Sequence, residues 1–315
     1  MNFFSASTQL SHPTCQIFGV TALLCNLISG PATAAQTTNP VKVKIDHSGS
    51  RLRNISKRGR SAFSKLRPLC GPKTRLGDQT PKERWLSFRR LCRWQSYLKR
   101  KKIDFYLESP YPTYLINKQG AAVLLLRRWK SGMAEYRGLI FSKKDSEINR
   151  LEQLRGKMLA FEDPGSTSGY FLPKVLLLKK GLKLTEKTTP DAKVGPKETG
   201  YVFASTDANV VNLVLSGQVA AGAFSDDDYG ALDGTKKAEI IILAQTDLFP
   251  RHLVSVRKDL NPLVKNRLKE VLLAMNQEEE GRSIMQQTDN TTKFDLLPGG
   301  EELVRRKLVE TFRSR

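Results

Sequence analysis

From Ile103 onward the chain alternates between short apolar runs and amphipathic stretches. Ile103–Leu107 is an apolar run that ends in the turn Glu108-Ser109-Pro110, and Ala121–Trp129 is a longer one followed by Ser131-Gly132; both read as strands. Tyr136–Ser142 predicts another strand, and Glu147–Leu154 a short helix closed by Gly156. Met158–Glu162 is a strand followed by a loop, then a helix from about Gly169 to Lys180 that stops at Gly181. A polar connection containing Pro and Gly spans 184–200. Strands at Tyr201–Ser205 and Val219–Phe224 flank a helix at Asn209–Leu215. Ile240–Ala244 and Leu253–Arg257 are further strands, and Pro262–Met275 is an amphipathic helix. Strands alternating with helices predict an α/β architecture, and there is no internal repeat.

Length and charge sharpen this picture. A chain of 315 residues is long enough for two compact lobes, each with its own core. No run approaches the roughly 18 uncharged apolar residues of a membrane span. Residues 1–35 contain no Lys, Arg, Asp or Glu; an apolar stretch from Ile17 to Ile28 is followed by Pro31-Ala32-Thr33-Ala34-Ala35. That segment reads as a signal peptide without its usual basic start. A buried helix, or a tail behind a mis-assigned start codon, is the other reading. The net charge of +21 is unevenly spread: residues 51–102 hold 18 Lys and Arg against Asp78 and Glu83, which leaves 34 basic and 29 acidic residues elsewhere. Cys15 and Cys25 fall in the expected signal. Cys70 and Cys92 are free to form one disulfide in an oxidising compartment. With three His and no Cys/His cluster, no zinc or haem site is expected, and no cofactor.

The segment richest in chemistry is Glu162-Asp163-Pro164-Gly165-Ser166-Thr167-Ser168-Gly169-Tyr170-Phe171-Leu172-Pro173. A strand runs into a tight Asp-Pro-Gly turn, then three hydroxyl residues and a glycine open a helix. Backbone N–H groups at a helix start lack intrahelical acceptors, and the helix dipole favours negative charge there. Ser and Thr hydroxyls add donors, and Gly169 lets an oxyanion approach the backbone. Pro173 is tolerated only near the first turn, which puts the hydroxyls at the helix entrance. A plain N-cap needs one hydroxyl, not three.

This string resembles the DP-x-STSGY-x-x-P signature of the phosphate/phosphite/phosphonate-binding proteins of bacterial ABC importers, which are type II periplasmic binding proteins with a transferrin-like, two-lobed fold. The resemblance covers roughly 99–312. It includes KKIDFYLESPYPTYL (101–115), LRGKMLAFEDPGSTSGYFLP (154–173), YVFASTDANVVNLVLSGQVAAGAF (201–224), FPRHLVSVRKDL (249–260) and a C-terminal helix ending in FDLLPGG (294–300). It implies mixed sheets flanked by helices, an interlobe ligand cleft, and delivery of the ligand to a membrane permease. Ser166, Thr167, Ser168 and Gly169 would hold the phosphonate-type oxygens. Tyr111 or Tyr114 would reach in from the first lobe, after the turn at Ser109. Asp207 falls where many relatives have an acid beside a His or a second acid; here Ser205-Thr206-Asp207-Ala208 has no His. With Asp207 near the ligand, protonated, phosphite-like or amine-bearing ligands are expected.

The implied organisation is lobe one over 41–139 plus 246–315 and lobe two over 140–245. Crossing strands lie near 136–142 and 243–256. The implied protein is an exported, monomeric, non-enzymatic subunit with a small oxyanion and an ABC permease as partners, and no nucleic acid. Other readings of single features are plainer. Asp207 is equally suited to capping the helix near Asn209. Asp226-Asp227-Asp228 lacks the Gly and terminal Glu of a calcium loop and reads as a solvated turn. Glu108 suits a ligand N–H or an Arg partner, and His252 a structural role. No Gly-x-Ser-x-Gly frame, phosphate loop or dinucleotide fingerprint is present, so catalysis has no motif behind it. A sensory or scaffold protein on the same fold is the alternative function. A basic nucleic-acid or anionic-membrane binder is a third, more distant one. Residues 46–98 depart from the pattern: Cys70–Tyr97 has no period-2 alternation and no four-residue apolar run. The resemblance resumes at Lys101, as offsetting frame changes or a disordered segment would leave it; a genuine basic insertion is the alternative.

Overall fold

The computed structural model describes residues 45–46 and 93–313. The expected signal peptide, nearly all of the basic segment 46–98, and Cys70 and Cys92 lie outside the described residues. The described residues form two α/β lobes joined by a narrow ribbon.

The first lobe is built on a five-stranded sheet. Its strands are β1 (Ile45–Asp46), β2 (Phe105–Glu108), β3 (Ala122–Lys130), β12 (His252–Arg257) and β13 (Thr291–Asp295), in the order β1-β2-β12-β3-β13. Strand β1 pairs parallel to β2; the other pairings are antiparallel. One face is covered by α6 (Pro262–Ala274) and α7 (Glu279–Gln287), whose Leu268, Val271, Leu272 and Met285 pack on Phe105, Leu126 and Val254. Other core residues pack α1 (Pro110–Asn117) and α8 (Gly300–Phe312) against Leu124 and Leu253. Residues 93–99 are helical, and Trp94, 3 % exposed, packs with Leu98 and Ile116 on Tyr106. The C-terminal end of the atypical basic segment is therefore folded against this sheet.

The second lobe carries a six-stranded mixed sheet in the order β10-β5-β9-β6-β8-β7. These strands are β5 (Gly138–Lys143), β6 (Met158–Phe161), β7 (Leu184–Glu186), β8 (Thr199–Phe203), β9 (Ala221–Ser225) and β10 (Ile240–Gln245). Five of them run in one direction, and β5, between β9 and β10, runs antiparallel to both. Helices α2 (Leu172–Lys179) and α3 (Asp207–Leu215) contribute Leu177 and Val210–Val214 to its two apolar layers, and α4 (Asp226–Ala231) and α5 (Gly234–Ala238) follow β9. Between the lobes, β4 (Glu135–Tyr136) pairs antiparallel with β11 (Phe249–Pro250). The expected crossing strands are thus interrupted, the first at Arg137 and the second around Thr246–Leu248 and again at Arg251, so the lobes are joined through a short separate ribbon.

Local differences from the pattern-based expectation have physical causes. Glu147–Leu154 forms only a 3-10 turn at Leu151–Leu154, with the Gln153 side chain accepting the N–H groups of Asn149 and Arg150 just before it. Phe294 and Asp295 do not end a helix. They finish β13, where Asp295 accepts two hydrogen bonds from Arg127 at 3.0 and 2.7 Å, and the helix starts only at Gly300. Asp207 opens α3 rather than capping it; the cap is Thr206, whose hydroxyl accepts the Asn209 N–H.

Candidate functional site

The hydroxyl loop is positioned by the strand before it and by the turn its sequence dictates. After β6, Asp163 folds the chain back: its carboxylate accepts the Gly165 N–H at 2.6 Å and its carbonyl accepts the Ser166 N–H at 3.0 Å. Ser166 is extended, and its hydroxyl caps the following turn by accepting the Gly169 N–H at 2.9 Å. Thr167–Phe171 then winds as a single π turn, a conformation concentrated at functional sites, before α2 begins with Pro173 in its first turn. Gly169 is needed here because a Cβ would lie 2.7 Å from Glu162 Oε2 and 2.9 Å from the Ser166 hydroxyl.

The loop meets the first lobe through one side chain. Thr167, 2 % exposed, accepts the Tyr111 N–H at 3.0 Å and donates to the Ser109 hydroxyl at 3.1 Å. Ser109 immediately precedes α1, which has no cap from its own Ser109 side chain. A hydroxyl from the second lobe therefore satisfies one of the free N–H groups at the start of a first-lobe helix. The Tyr136 hydroxyl of the ribbon lies beside the Thr167 and Ser168 side chains, and burial holds the phenol protonated. Gly138, at the start of β5, lets the loop close on the ribbon: a Cβ there would sit 2.6 Å from the Ser168 carbonyl.

Charge surrounds this junction asymmetrically. Arg251, between β11 and β12, forms an ion pair with Asp227 of α4, across the lobes, and its guanidinium lies 4.5 Å from the Tyr136 ring centroid. Asp226-Asp227-Asp228 is thus no solvated turn. It is the first turn of α4, with Ser225 and Asp228 capping each other and Asp227 half-buried against arginine. Behind the loop, burial pushes the Glu162 carboxyl up to about 7, and Asp163, Asp228 and Asp207 add to the rise.

The structure gathers Ser109, Tyr111 and Ser166–Gly169 at one junction, with the Tyr111 ring stacked on Phe171 at 4.1 Å. Tyr114 packs on Phe312 at 5.9 Å, with Lys118 over its ring. Asp207 lies on the acidic side, near Glu162 and Asp228. Glu108 is buried and accepts the Ser109 N–H at 3.1 Å. His252 lies in β12, in the first sheet, and is held neutral by burial and by Arg128, Arg251 and Lys130. Sequence reasoning missed Tyr136, Arg251 and Asp227. An arginine after Pro250 in an otherwise apolar strand was the one available hint. Among the described residues no cluster of His, Cys, Asp and Glu is arranged to hold a metal ion, and no helix is long and apolar enough to cross a membrane.

Two mixed α/β lobes on a short ribbon, with a capped hydroxyl turn facing a helix start across the cleft, have the fold of the type II periplasmic binding proteins. The model of the family described as "ABC transporter, phosphonate, periplasmic substrate-binding protein" matches residues 95–297, and the chain belongs to that family: it is the substrate-binding component of an importer. Members are transporter components rather than enzymes. Among solved structures, the chain is similar to XAC2383 from Xanthomonas citri, solved with ATP and with a chloride ion. The identity is 28 %, over 71 % of this chain and 82 % or 81 % of that one, with a TM-score of 0.67. It is similar in fold to PhnD1 from Prochlorococcus marinus in complex with methylphosphonate (15 % identity, 71 % and 83 % covered, TM-score 0.52). It is also similar in fold to the binding protein component of a phosphonate ABC transporter from Pseudomonas aeruginosa (16 %, 71 % and 82 %, 0.50).

Proposed function

We propose that this chain captures a phosphate-like oxyanion (phosphate, phosphite or a phosphonate) between its lobes at Ser166–Gly169 and delivers it to an ABC permease. The observation that carries the reading is the Thr167 hydroxyl, which joins the start of the π turn to the start of α1. Two helix entrances, one from each lobe, converge on it, and both favour negative charge. An oxyanion there takes the Tyr111 N–H from Thr167 and leaves the Thr167, Ser168 and Tyr136 hydroxyls to donate. The Xanthomonas citri relative solved with ATP and the Prochlorococcus marinus relative solved with methylphosphonate support phosphorus oxyanions as the class. The reading carries with it export, a monomer, and no nucleic-acid partner.

The test is calorimetry of the parent, Thr167→Ala and Ser168→Ala against phosphate, phosphite, methylphosphonate and ATP. Each substitution should weaken binding by about 1–3 kcal/mol, the cost of deleting a hydrogen bond to a charged group. Ligand-free stability should fall by only about 1 kcal/mol, the net value of an ordinary hydrogen bond. Variants that bind like the parent would reduce these hydroxyls to structural groups and end the proposal.

A further inference from the structure

The second lobe separates charge between the two ends of its sheet. Residues 138–245 hold 14 Lys and Arg against 14 Asp and Glu, so the lobe is neutral as a whole. At the C-terminal strand ends, on the side of the hydroxyl loop, stand Glu162 and Asp163 after β6, Asp207 after β8, and Asp226, Asp227 and Asp228 after β9. At the opposite end, exposed Arg155 and Lys157 lead into β6, Lys179, Lys180 and Lys183 into β7, and Lys197 into β8. Backbone bonds join these entry segments into one surface. The carbonyls of Lys157 and Lys183 accept the N–H groups of Gly200 and Thr199 at 2.9 and 2.8 Å, and the Glu198 carbonyl accepts the Gly156 N–H at 2.7 Å. The Arg155 guanidinium reaches Gly181, where a Cβ would lie 4.0 Å from its Nη2. Among the described residues none of these six cations forms an ion pair, whereas Arg127, Arg251 and Arg257 all do. Glu198, next to Lys197, is already taken by Lys187 Nζ at 2.8 Å and the Gly195 N–H at 3.0 Å. Leu178, 48 % exposed, stands beside Lys179 in the last turn of α2. Six exposed like charges repel one another, so the fold gains nothing from gathering them.

We propose that this end of the second lobe rests on an anionic phospholipid surface, a contact separate from ligand capture that holds the protein at the membrane. Lysine ammonium groups are compact, hydrated point charges on flexible stems, suited to a fluid array of phosphates rather than to one fixed group. Each adds an attraction to a charged bilayer that fades within a Debye length, so cations gathered on one surface act together. Leu178 supplies an apolar group among them, which a bilayer interface takes up and a soluble polyanion does not. Because the acids lie at the other end of the sheet, a charged bilayer attracts this lobe by one end only. The hydroxyl loop then faces away from the lipid.

Sedimentation of the full chain with phosphatidylglycerol vesicles tests the contact, read as a partition coefficient so that other basic stretches contribute equally to every protein compared. Lys179→Glu, Lys180→Glu and Lys183→Glu together should lower it at least about a hundredfold, since each Lys near a charged bilayer contributes about fivefold. A control with the same change of net charge, Lys258→Glu, Arg267→Glu and Arg306→Glu on exposed first-lobe positions, should lower it by less than about tenfold. Leu178→Ser keeps every charge and should lower it about fivefold, because only about half of the side chain is left to bury, while binding to heparin stays unchanged. Hydrogen exchange of the unaltered chain reads the same contact: vesicles should slow the amides of 178–183 and leave those of 302–307 as they were. A triple variant within about threefold of the control overturns the proposal. So does slowing that spares 178–183. A Leu178→Ser variant that binds vesicles like the parent also overturns it, and makes the surface a binder of soluble polyanions instead.

Discussion

Glu162 stands at the foot of the hydroxyl loop, where β6 ends, and its ionisation should set how stability varies with pH. Burial is the largest cause of its raised pKa; Asp163, Asp228 and Asp207 add negative potential, and a hydrogen bond from Ser166 partly offsets them. The carboxyl moves from 4.5 up to about 7. A raised acid pKa means that the folded chain holds this proton over a range where the unfolded chain has released it. The group's cost is therefore absent below the unfolded value, grows as pH rises through the interval, and is complete above the folded value. At about 1.4 kcal/mol per pKa unit the interval amounts to about 3 kcal/mol, a ceiling because Glu162 keeps some solvent contact. Glu162→Gln removes the ionisation with little change of shape. Urea unfolding of parent and variant should show the variant gaining on the parent from about pH 5 to about pH 7 and levelling off above it. Contributions from other titrating groups appear in both proteins and cancel in the difference. A difference that stays constant over that range would refute the reasoning, since it would mean that Glu162 titrates like a free carboxylate.

Two further perturbations address how the loop is held. Gly138→Ala places a Cβ 2.6 Å from the Ser168 carbonyl and 2.9 Å from Pro173 Cγ, and overpacking against backbone should cost about 1–3 kcal/mol in a thermal melt and weaken oxyanion binding along with it; binding equal to the parent's would show that the loop tolerates displacement from the ribbon. Phe312→Ala empties a site that is 1 % exposed and contacts Tyr111, Phe171 and Phe249, ring centroids 5.0 to 5.5 Å away; unfolding in urea should show a loss of about 3–5 kcal/mol, and a loss below about 1 kcal/mol would mean that α8 contributes little at the junction.

The parts of this fold that were legible in the sequence are those decided over a few residues. Apolar runs bounded by turns located β2, β3, β6 and β12, and Asp163-Pro164-Gly165 announced the turn that delivers three hydroxyls to a helix start. What stayed hidden depends on partners far along the chain. Thr167 and Tyr111 are 56 residues apart, Arg251 and Asp227 are 24 apart, and no local pattern pairs them. Asp227 read as solvated because three consecutive acids suit a polar turn; its burial follows from an arginine supplied by the other lobe. Strand β13 was missed because Thr291-Thr292-Lys293 carries little apolar signal, and its pairing with β3 is reinforced by Arg127 reaching Asp295. Asp207 was read as a cap or a ligand group; it is a first-turn acid, placed to complement the helix dipole.

The same long-range partners explain how one loop can both close the cleft and choose its ligand. The ribbon contributes only two residue pairs, so the lobes are held together mainly by side chains that cross between them. These are Thr167 on Ser109 and Tyr111, Arg251 on Asp227, and the Tyr111, Phe171 and Phe312 rings. On the proposed function, the first of these is the bond that a ligand must replace. A neutral molecule offers the Tyr111 N–H nothing better than the Thr167 hydroxyl already does, and it would still have to separate the lobes to enter. An anion accepts charge-assisted hydrogen bonds, roughly twice as strong as neutral ones, from the N–H and from the released hydroxyl together. Selection for charge thus needs no large positive patch in the cleft: it follows from making an internal neutral hydrogen bond the competitor that every ligand has to displace.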